Sequence, residues 1–158
     1  MSTAGAARYT GRCLCGGVRY AIAGDIGPAV FCHCSQCRRA SGSAFAANAS
    51  IRTADFSCTQ GQDLIREFES SPGKLRAFCS ACGSPLFARH PASPEVMRLR
   101  LGTLDQADDI EVRGHIWTGS GAGWYHIADA LEQAPGSNPW IGQGRDVAGG
   151  RQDPGKLK

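Results

Sequence analysis

Seven of the eight cysteines in this chain fall in tight clusters: Cys13-Leu14-Cys15, Cys32-His33-Cys34-Ser35-Gln36-Cys37 and Cys79-Ser80-Ala81-Cys82. Only Cys58 stands alone. A C-x-C or C-x-x-C pair can aim two thiolates at one ion across a tight turn. Zinc takes four such ligands when it is structural, and three plus an open position when it does chemistry. Seven clustered thiols divide as four plus three, which points to one closed site and one open site. The rival reading is a disulfide scaffold, since eight cysteines can pair in 105 ways. Spacing and chain length both favour metal: a chain of 158 residues has no need of staples.

The rest of the composition is ordinary. Hydrophobic residues make up 42% and charged residues 20%, which describes a globular domain rather than a tail or a fibre. The formal charge of +3 is too weak to argue for nucleic acid. Seven thiolates and two zinc ions would bring it near zero. No apolar run approaches the ~20 residues that span a bilayer. Met1–Thr10 lacks the apolar stretch of a signal peptide. The expectation is a cytoplasmic chain with no membrane partner, its thiols reduced.

Between two polar ends, period-two patterning dominates. Val18, Tyr20 and Ile22 alternate with Arg19 and Ala21, as in a half-buried strand. Phe45–Ile51, Pro85–Arg89, Val96–Leu101 and Ile110–Thr118 read as further strands. In Val96–Leu101, Met97, Leu99 and Leu101 face one way, and Arg98 and Arg100 the other. Leu64–Glu69 and Lys74–Phe78 flank Ser70-Ser71-Pro72-Gly73, a hairpin turn. Trp124, Ile127, Ala128 and Leu131 fall at helical spacing, so Gly123–Leu131 reads as a short helix. A second helical turn follows Cys34 and ends near Gly42. The expected organisation is a flexible N-terminus at 1–7, one zinc-binding domain at 8–141 and a disordered tail at 142–158. The domain is expected to be mainly β with short helical pieces.

Two constellations carry the chemistry. Cys79-Ser80-Ala81-Cys82-Gly83 is a knuckle, with glycine just after the second thiol, where the backbone commonly needs φ > 0. Cys13-Leu14-Cys15-Gly16 repeats the same logic more compactly. Sequence alone does not give connectivity, but pairing the two would cross-link distant segments and close the fold. Cys32, Cys34 and Cys37 lie within six residues and can share one ion. His33 diverges from its neighbours in an extended stretch, which leaves a fourth position open. The bland alternative is two closed sites, with Cys58 or a histidine as the missing ligand.

The motifs Gly11-Arg12-Cys13-Leu14-Cys15-Gly16-Gly17-Val18, Cys32-His33-Cys34-Ser35-Gln36-Cys37-Arg38, Ser70-Ser71 and Arg76-Ala77-Phe78-Cys79-Ser80-Ala81-Cys82-Gly83 resemble the glutathione-dependent formaldehyde-activating enzyme family. Gly102-Thr103-Leu104-Asp105, His115-Ile116 and Trp124 look like its downstream landmarks, so the similarity runs from about Gly11 to Leu131. The resemblance implies a zinc-stabilised β-tent-type domain. It implies a structural zinc on Cys13, Cys15, Cys79 and Cys82. It implies a second zinc on Cys32, Cys34 and Cys37, through which catalysis would run. The implied reaction is a carbon–sulfur lyase type, joining glutathione to formaldehyde as S-hydroxymethylglutathione. Its partners would be a small-molecule thiol such as glutathione and an aldehyde.

For that chemistry, Arg38 and Arg39 could meet a carboxylate of glutathione, and His33 could bind substrate or serve as a base. The bland readings are a solvated arginine pair and a packed or hydrogen-bonded histidine. His115 and His126 read as packing residues. Trp117, Trp124 and Tyr125 read as core or pocket wall. Two other functions compete: a non-catalytic zinc module that binds a protein or a small thiol, as in centromere protein V-type relatives, and a thiol redox enzyme.

Overall fold

Alternating side chains and frequent turn residues produce short strands through most of residues 6–140, the part of the chain that the computed structural model describes. The strands are β1 (Tyr9–Arg12), β2 (Arg19–Ile22) and β3 (Ala29–Cys32), followed by the helix α1 (Ser35–Ser41). Then come β4 (Ala46–Arg52), β5 (Phe56–Gln60), β6 (Ile65–Ser71), β7 (Lys74–Cys79) and β8 (Pro85–Arg89). β9 (Val96–Arg100), β10 (Val112–Ile116) and β11 (Glu132–Gln133) complete the series. The fold is mainly β, as expected. No helix among the described residues is long and apolar enough to cross a membrane. The expected tail at 142–158, and all but two residues of the N-terminus at 1–7, lie outside the described residues.

The strands form two sheets. β1, β2 and β5 make a small antiparallel sheet. The large sheet runs β11-β10-β3-β4-β9-β8-β7-β6, antiparallel except where β10 lies parallel to β3 and β11. The main core lies between the sheets. Tyr20 and Ile22 from β2 meet Ile51, Met97 and Leu99 from the large sheet, all 3% exposed or less. Burial of that many large apolar side chains, at roughly 1.5–3 kcal/mol each, is what holds the layers together. The period-two pattern in β9 sends Met97 and Leu99 into this core and Arg98 and Arg100 to the other face.

The hairpin expected at 64–78 is present, with Ser71 opposite Lys74. Gly73 adopts φ 78, and its N–H donates to Glu69 Oε1 at 2.7 Å. The helical turn after Cys34 is α1, and Gly42 ends it at φ 63 with its N–H donating to the Arg38 carbonyl.

The helix expected at Gly123–Leu131 is absent: this segment is irregular. Its apolar residues have the right spacing, but Trp124 and Ala128 are exposed and Ile127 and Leu131 only half-buried, so no continuous apolar face is covered. Trp124 is 75% exposed, so it is neither core nor wall. The segment is held by other means. The Leu131 N–H donates to Asp129 Oδ1 at 2.9 Å, and Tyr125 packs edge-on against Phe45.

Candidate metal centres

The first β-strand and the β7 strand each end in a cysteine pair, and the sheet topology brings these ends together. Cys13, Cys15, Cys79 and Cys82 place their sulfurs within 4.8 Å of one another. Cys13 and Cys15 Sγ are 3.5 Å apart, and Cys15 and Cys79 Sγ 4.0 Å. A tetrahedron of thiolates at about 2.3 Å from zinc has edges of about 3.8 Å, so the spacing fits such an ion. Gly16 and Gly83 follow the second cysteine of each pair at φ 73 and 76. Both turns close by a backbone bond, Gly16 N–H to the Cys13 carbonyl and Gly83 N–H to the Cys79 carbonyl. Leu14 N–H donates to Ser84 Oγ at 2.8 Å and joins the two turns.

Backbone and hydroxyl donors point at these sulfurs. Val18 N–H donates to Cys13 Sγ at 3.2 Å. The Ser84 hydroxyl, with the N–H groups of Cys15 and Ser84, pulls the Cys82 thiol down to about 5. The Gly17 N–H also favours a thiolate at Cys15, but hydrogen bonding with the Cys13 and Cys82 sulfurs outweighs it and pushes Cys15 up to about 11. Sulfurs this close cannot all ionise without a cation among them.

The second group is Cys32, Cys34 and Cys37, whose sulfurs also lie within 4.8 Å of one another. All three are buried. The local chain explains the grouping. Cys32 ends β3, and Cys34 is the N-cap of α1, its Sγ accepting from Cys37 N–H at 3.4 Å. The first helical turn then returns Cys37 to the same side. Neither Cys58 nor a histidine joins either group. Cys58 lies in β5, half-buried, with its thiol donating to the Gln60 carbonyl at 3.2 Å. The two cysteine clusters could thus hold metal ions, and an all-thiolate donor set suits zinc.

Cys32 and Cys37 form part of the wall of a cleft of about 110 Å³ on the face of the large sheet opposite the core. Trp117 also lines it. So do four cationic side chains, Lys74, Arg76, Arg98 and Arg100. Arg76 reaches α1: its Nη2 donates to Gln36 Oε1 at 3.3 Å, and its Nη1 lies 4.0 Å from Cys37 Sγ. Arg100 is 7% exposed and donates to Asn48 Oδ1. Burial holds its pKa below the ordinary arginine value, opposed mainly by the Cys37 sulfur. None of these four cations was singled out from sequence as a site residue. The available signal was the two-residue step shared by Lys74 and Arg76 in β7 and by Arg98 and Arg100 in β9.

His33 turns away from the sulfurs of its neighbours, as its position between two inward thiols requires. Its Nε2 lies 2.7 Å from His115 Nδ1, and His115 Nε2 lies 3.0 Å from Asp129 Oδ2. A carboxylate accepts, so His115 donates from Nε2 and accepts at Nδ1. His33 then donates from Nε2. Burial lowers the His33 pKa, helped by His115 and Arg38, which favours a neutral His33. Arg38 is half-buried and donates from Nε to the His33 carbonyl at 3.3 Å. Arg39 is exposed on α1. Neither arginine lines the cleft. His126 is exposed in the irregular segment.

The chain is thus a mainly β domain with two cysteine clusters that could hold metal ions, one of them lining a cleft. The profile of the glutathione-dependent formaldehyde-activating enzyme family matches residues 8–120, and the chain belongs to that family. Trp124 lies beyond the matched residues. Among solved structures, a crystal structure of a Rhodobacter sphaeroides protein is similar in fold: TM-score 0.55 at 23% identity, covering 67% of this chain and 98% of that one. Among curated proteins, none matches.

Proposed function

We propose that the protein is a zinc-dependent carbon–sulfur lyase-type enzyme that joins a thiol to an aldehyde, with glutathione and formaldehyde as the substrates that the family's description suggests. The observation that carries this reading is the position of the three-cysteine group: Cys32 and Cys37 form part of the wall of a cleft. On this reading Cys13, Cys15, Cys79 and Cys82 hold a structural zinc, and Cys32, Cys34 and Cys37 hold a second.

A zinc ion bound by three thiolates would offer a fourth position at which a substrate thiol loses its proton more readily. The rest falls to the chain. Cys32, Cys34 and Cys37 are buried, so the site excludes bulk water behind the reacting sulfur. Arg76 and Arg100 stand beside Cys37 and offset the negative charge of three thiolates. The substrate sulfur adds to the carbonyl carbon, one C–S bond forms, and the C=O electron pair moves to oxygen. The proton that leaves the thiol ends on that oxygen. Trp117 supplies an apolar wall against which the small aldehyde can rest.

Exchange NMR on a mixture of glutathione and formaldehyde tests the proposal. Added protein should raise the rate of exchange between free and hydroxymethylated glutathione. An unchanged rate would remove the activity, and binding without acceleration would point to a non-catalytic thiol-binding module.

A further inference from the structure

Arg76 joins two distant parts of the fold at the three-cysteine group. It lies half-buried in β7, with β4, β9 and β8 between its strand and β3, where the cysteine run begins. Its guanidinium is held at each nitrogen. Nε donates to Ser70 Oγ at 2.8 Å, Nη2 donates to Gln36 Oε1 at 3.3 Å, and Nη1 points at Cys37 Sγ from 4.0 Å. Ser70 belongs to β6, the neighbouring strand, and Gln36 and Cys37 are consecutive residues of α1. The Ser70 hydroxyl donates to the Lys74 carbonyl at 3.4 Å, which leaves its lone pairs to accept from Arg76. Ser70 and Gln36 are neutral, so they fix the plane of the guanidinium without cancelling its charge. The third nitrogen then brings that charge to a sulfur. The four-cysteine group is served by neutral groups: the Val18 N–H stands at Cys13 Sγ and the Ser84 hydroxyl at Cys82 Sγ, at 3.2 and 3.3 Å. Three thiolates with a divalent ion carry one net negative charge, and a cation beside one of those sulfurs stabilises the loaded centre.

We propose that Arg76 is a positioning residue of the three-cysteine centre: fixed by Ser70 and Gln36, it acts through Cys37 Sγ to set how tightly the centre holds its ion and how strongly that sulfur donates. This rests on the reading that Cys32, Cys34 and Cys37 hold a metal ion. It gives Ser70, which takes no part in the cysteine chemistry itself, a task at the centre. Arginine suits the place because its planar fork meets three partners from one fixed plane. A lysine would bring charge on a flexible stem without that fork. A charge-assisted hydrogen bond to a thiolate also draws on its lone pairs, which ties the arginine to the electronic character of the sulfur as well as to its position.

Zinc competition against a chromophoric chelator and visible spectra of the cobalt-loaded protein test this without relying on turnover. Subtracting the spectrum of cobalt-loaded Cys32→Ser/Cys37→Ser leaves that of the three-cysteine centre. Arg76→Gln should weaken the ion that the double variant lacks by about tenfold or more, and leave the other ion's affinity unchanged. It should also move the thiolate-to-cobalt charge-transfer band to longer wavelength, because a sulfur that loses a hydrogen bond holds its electrons less tightly. Arg76→Lys should recover part of the affinity, and Ser70→Ala should shift the band the same way by less. In glutathione–formaldehyde exchange by the zinc-loaded protein, Arg76→Gln should lower kcat with KM for glutathione little changed. A rise in KM at constant kcat would mean that Arg76 meets the substrate instead, and would overturn the proposal. Two ions in the wild type, with affinities and band unchanged in Arg76→Gln, would overturn the proposal alone. Should Arg76→Gln fail to fold, a Ser70→Ala spectrum identical to the wild type's would overturn it. A single ion in the wild type would remove the metal reading and the proposal with it. Altered affinity and band without accelerated exchange would remove the reaction and keep the part Arg76 plays at the centre.

Discussion

His33 Nε2 lies 2.7 Å from His115 Nδ1, and the pair is buried almost completely, at 2% and 0% exposure. The contact fastens the loop between Cys32 and Cys34 to β10, and through Asp129 to the irregular segment beyond it. Replacing His115 by alanine leaves the His33 N–H without an acceptor and opens a cavity. The expected loss is about 2–4 kcal/mol in a urea titration. Asp129→Asn keeps an oxygen acceptor at a site that is 43% exposed, and should cost less than about 1 kcal/mol. Similar losses for the two variants would contradict the chain of hydrogen bonds.

Tyr20 gives the fold an alkaline limit. Burial pushes its phenol up to about 12, against 10.0 for the free group, with the Thr103 hydroxyl opposing. The folded protein therefore keeps a proton that the unfolded chain gives up. Stability from this group is whole below pH about 10 and falls as pH rises toward 12, by at most about 1.4 kcal/mol per unit. Melts between pH 9 and 11 should show a steeper decline for the wild type than for Tyr20→Phe. Parallel declines would mean that Tyr20 ionises freely in the fold.

Gly42 and Gly61 have similar backbone angles, φ 63 and 74, but different surroundings. A Cβ on Gly42 meets nothing within 4 Å, whereas one on Gly61 would lie 2.2 Å from the Gly17 carbonyl oxygen. Gly42→Ala should cost about 1–2 kcal/mol of left-handed strain. Gly61→Ala must also move backbone and should cost at least twice as much. Equal melting temperatures would contradict the close approach of Gly17 and Gly61.

The two cysteine groups should differ in what they support. Cys79 sits at 0% exposure in the main core and in the group that ties β1 to β7. Cys79→Ser should lose cooperative unfolding or several kcal/mol of stability, because ion binding at such a site is folding free energy. Cys37→Ser should keep a cooperative melt, because α1 and β3 remain held by the His33–His115 contact and by β4. If Cys37→Ser unfolds and Cys79→Ser does not, the assignment of roles is reversed.

Much of this was legible in the chain, for identifiable reasons. The strands β7 and β9 carry period-two patterning, and Pro72-Gly73 punctuates the β6–β7 hairpin, so pattern and turn chemistry agreed there. Cysteine spacing marked each local pair and the Cys32, Cys34 and Cys37 group, because C-x-C and C-x-x-C geometry is local, whereas joining Cys13 and Cys15 to Cys79 and Cys82 rested on the family resemblance. β1, β3 and β5 were missed. β1 and β3 are four residues long, β3 runs directly into a cysteine motif, and β5 is half polar, so none carries a full period of pattern. The supposed helix near Trp124 failed because spacing says nothing about whether a partner surface exists. The cleft cations and the His115–Asp129 contact depend on register between strands far apart in sequence, and no local pattern encodes that register.

The most direct test of the account is native mass spectrometry of freshly purified protein and of a Cys32→Ser/Cys37→Ser double variant. The account predicts two zinc ions in the wild type and one in the variant, with the variant still folded. A single ion in the wild type, or an unchanged count of two in the variant, would contradict it.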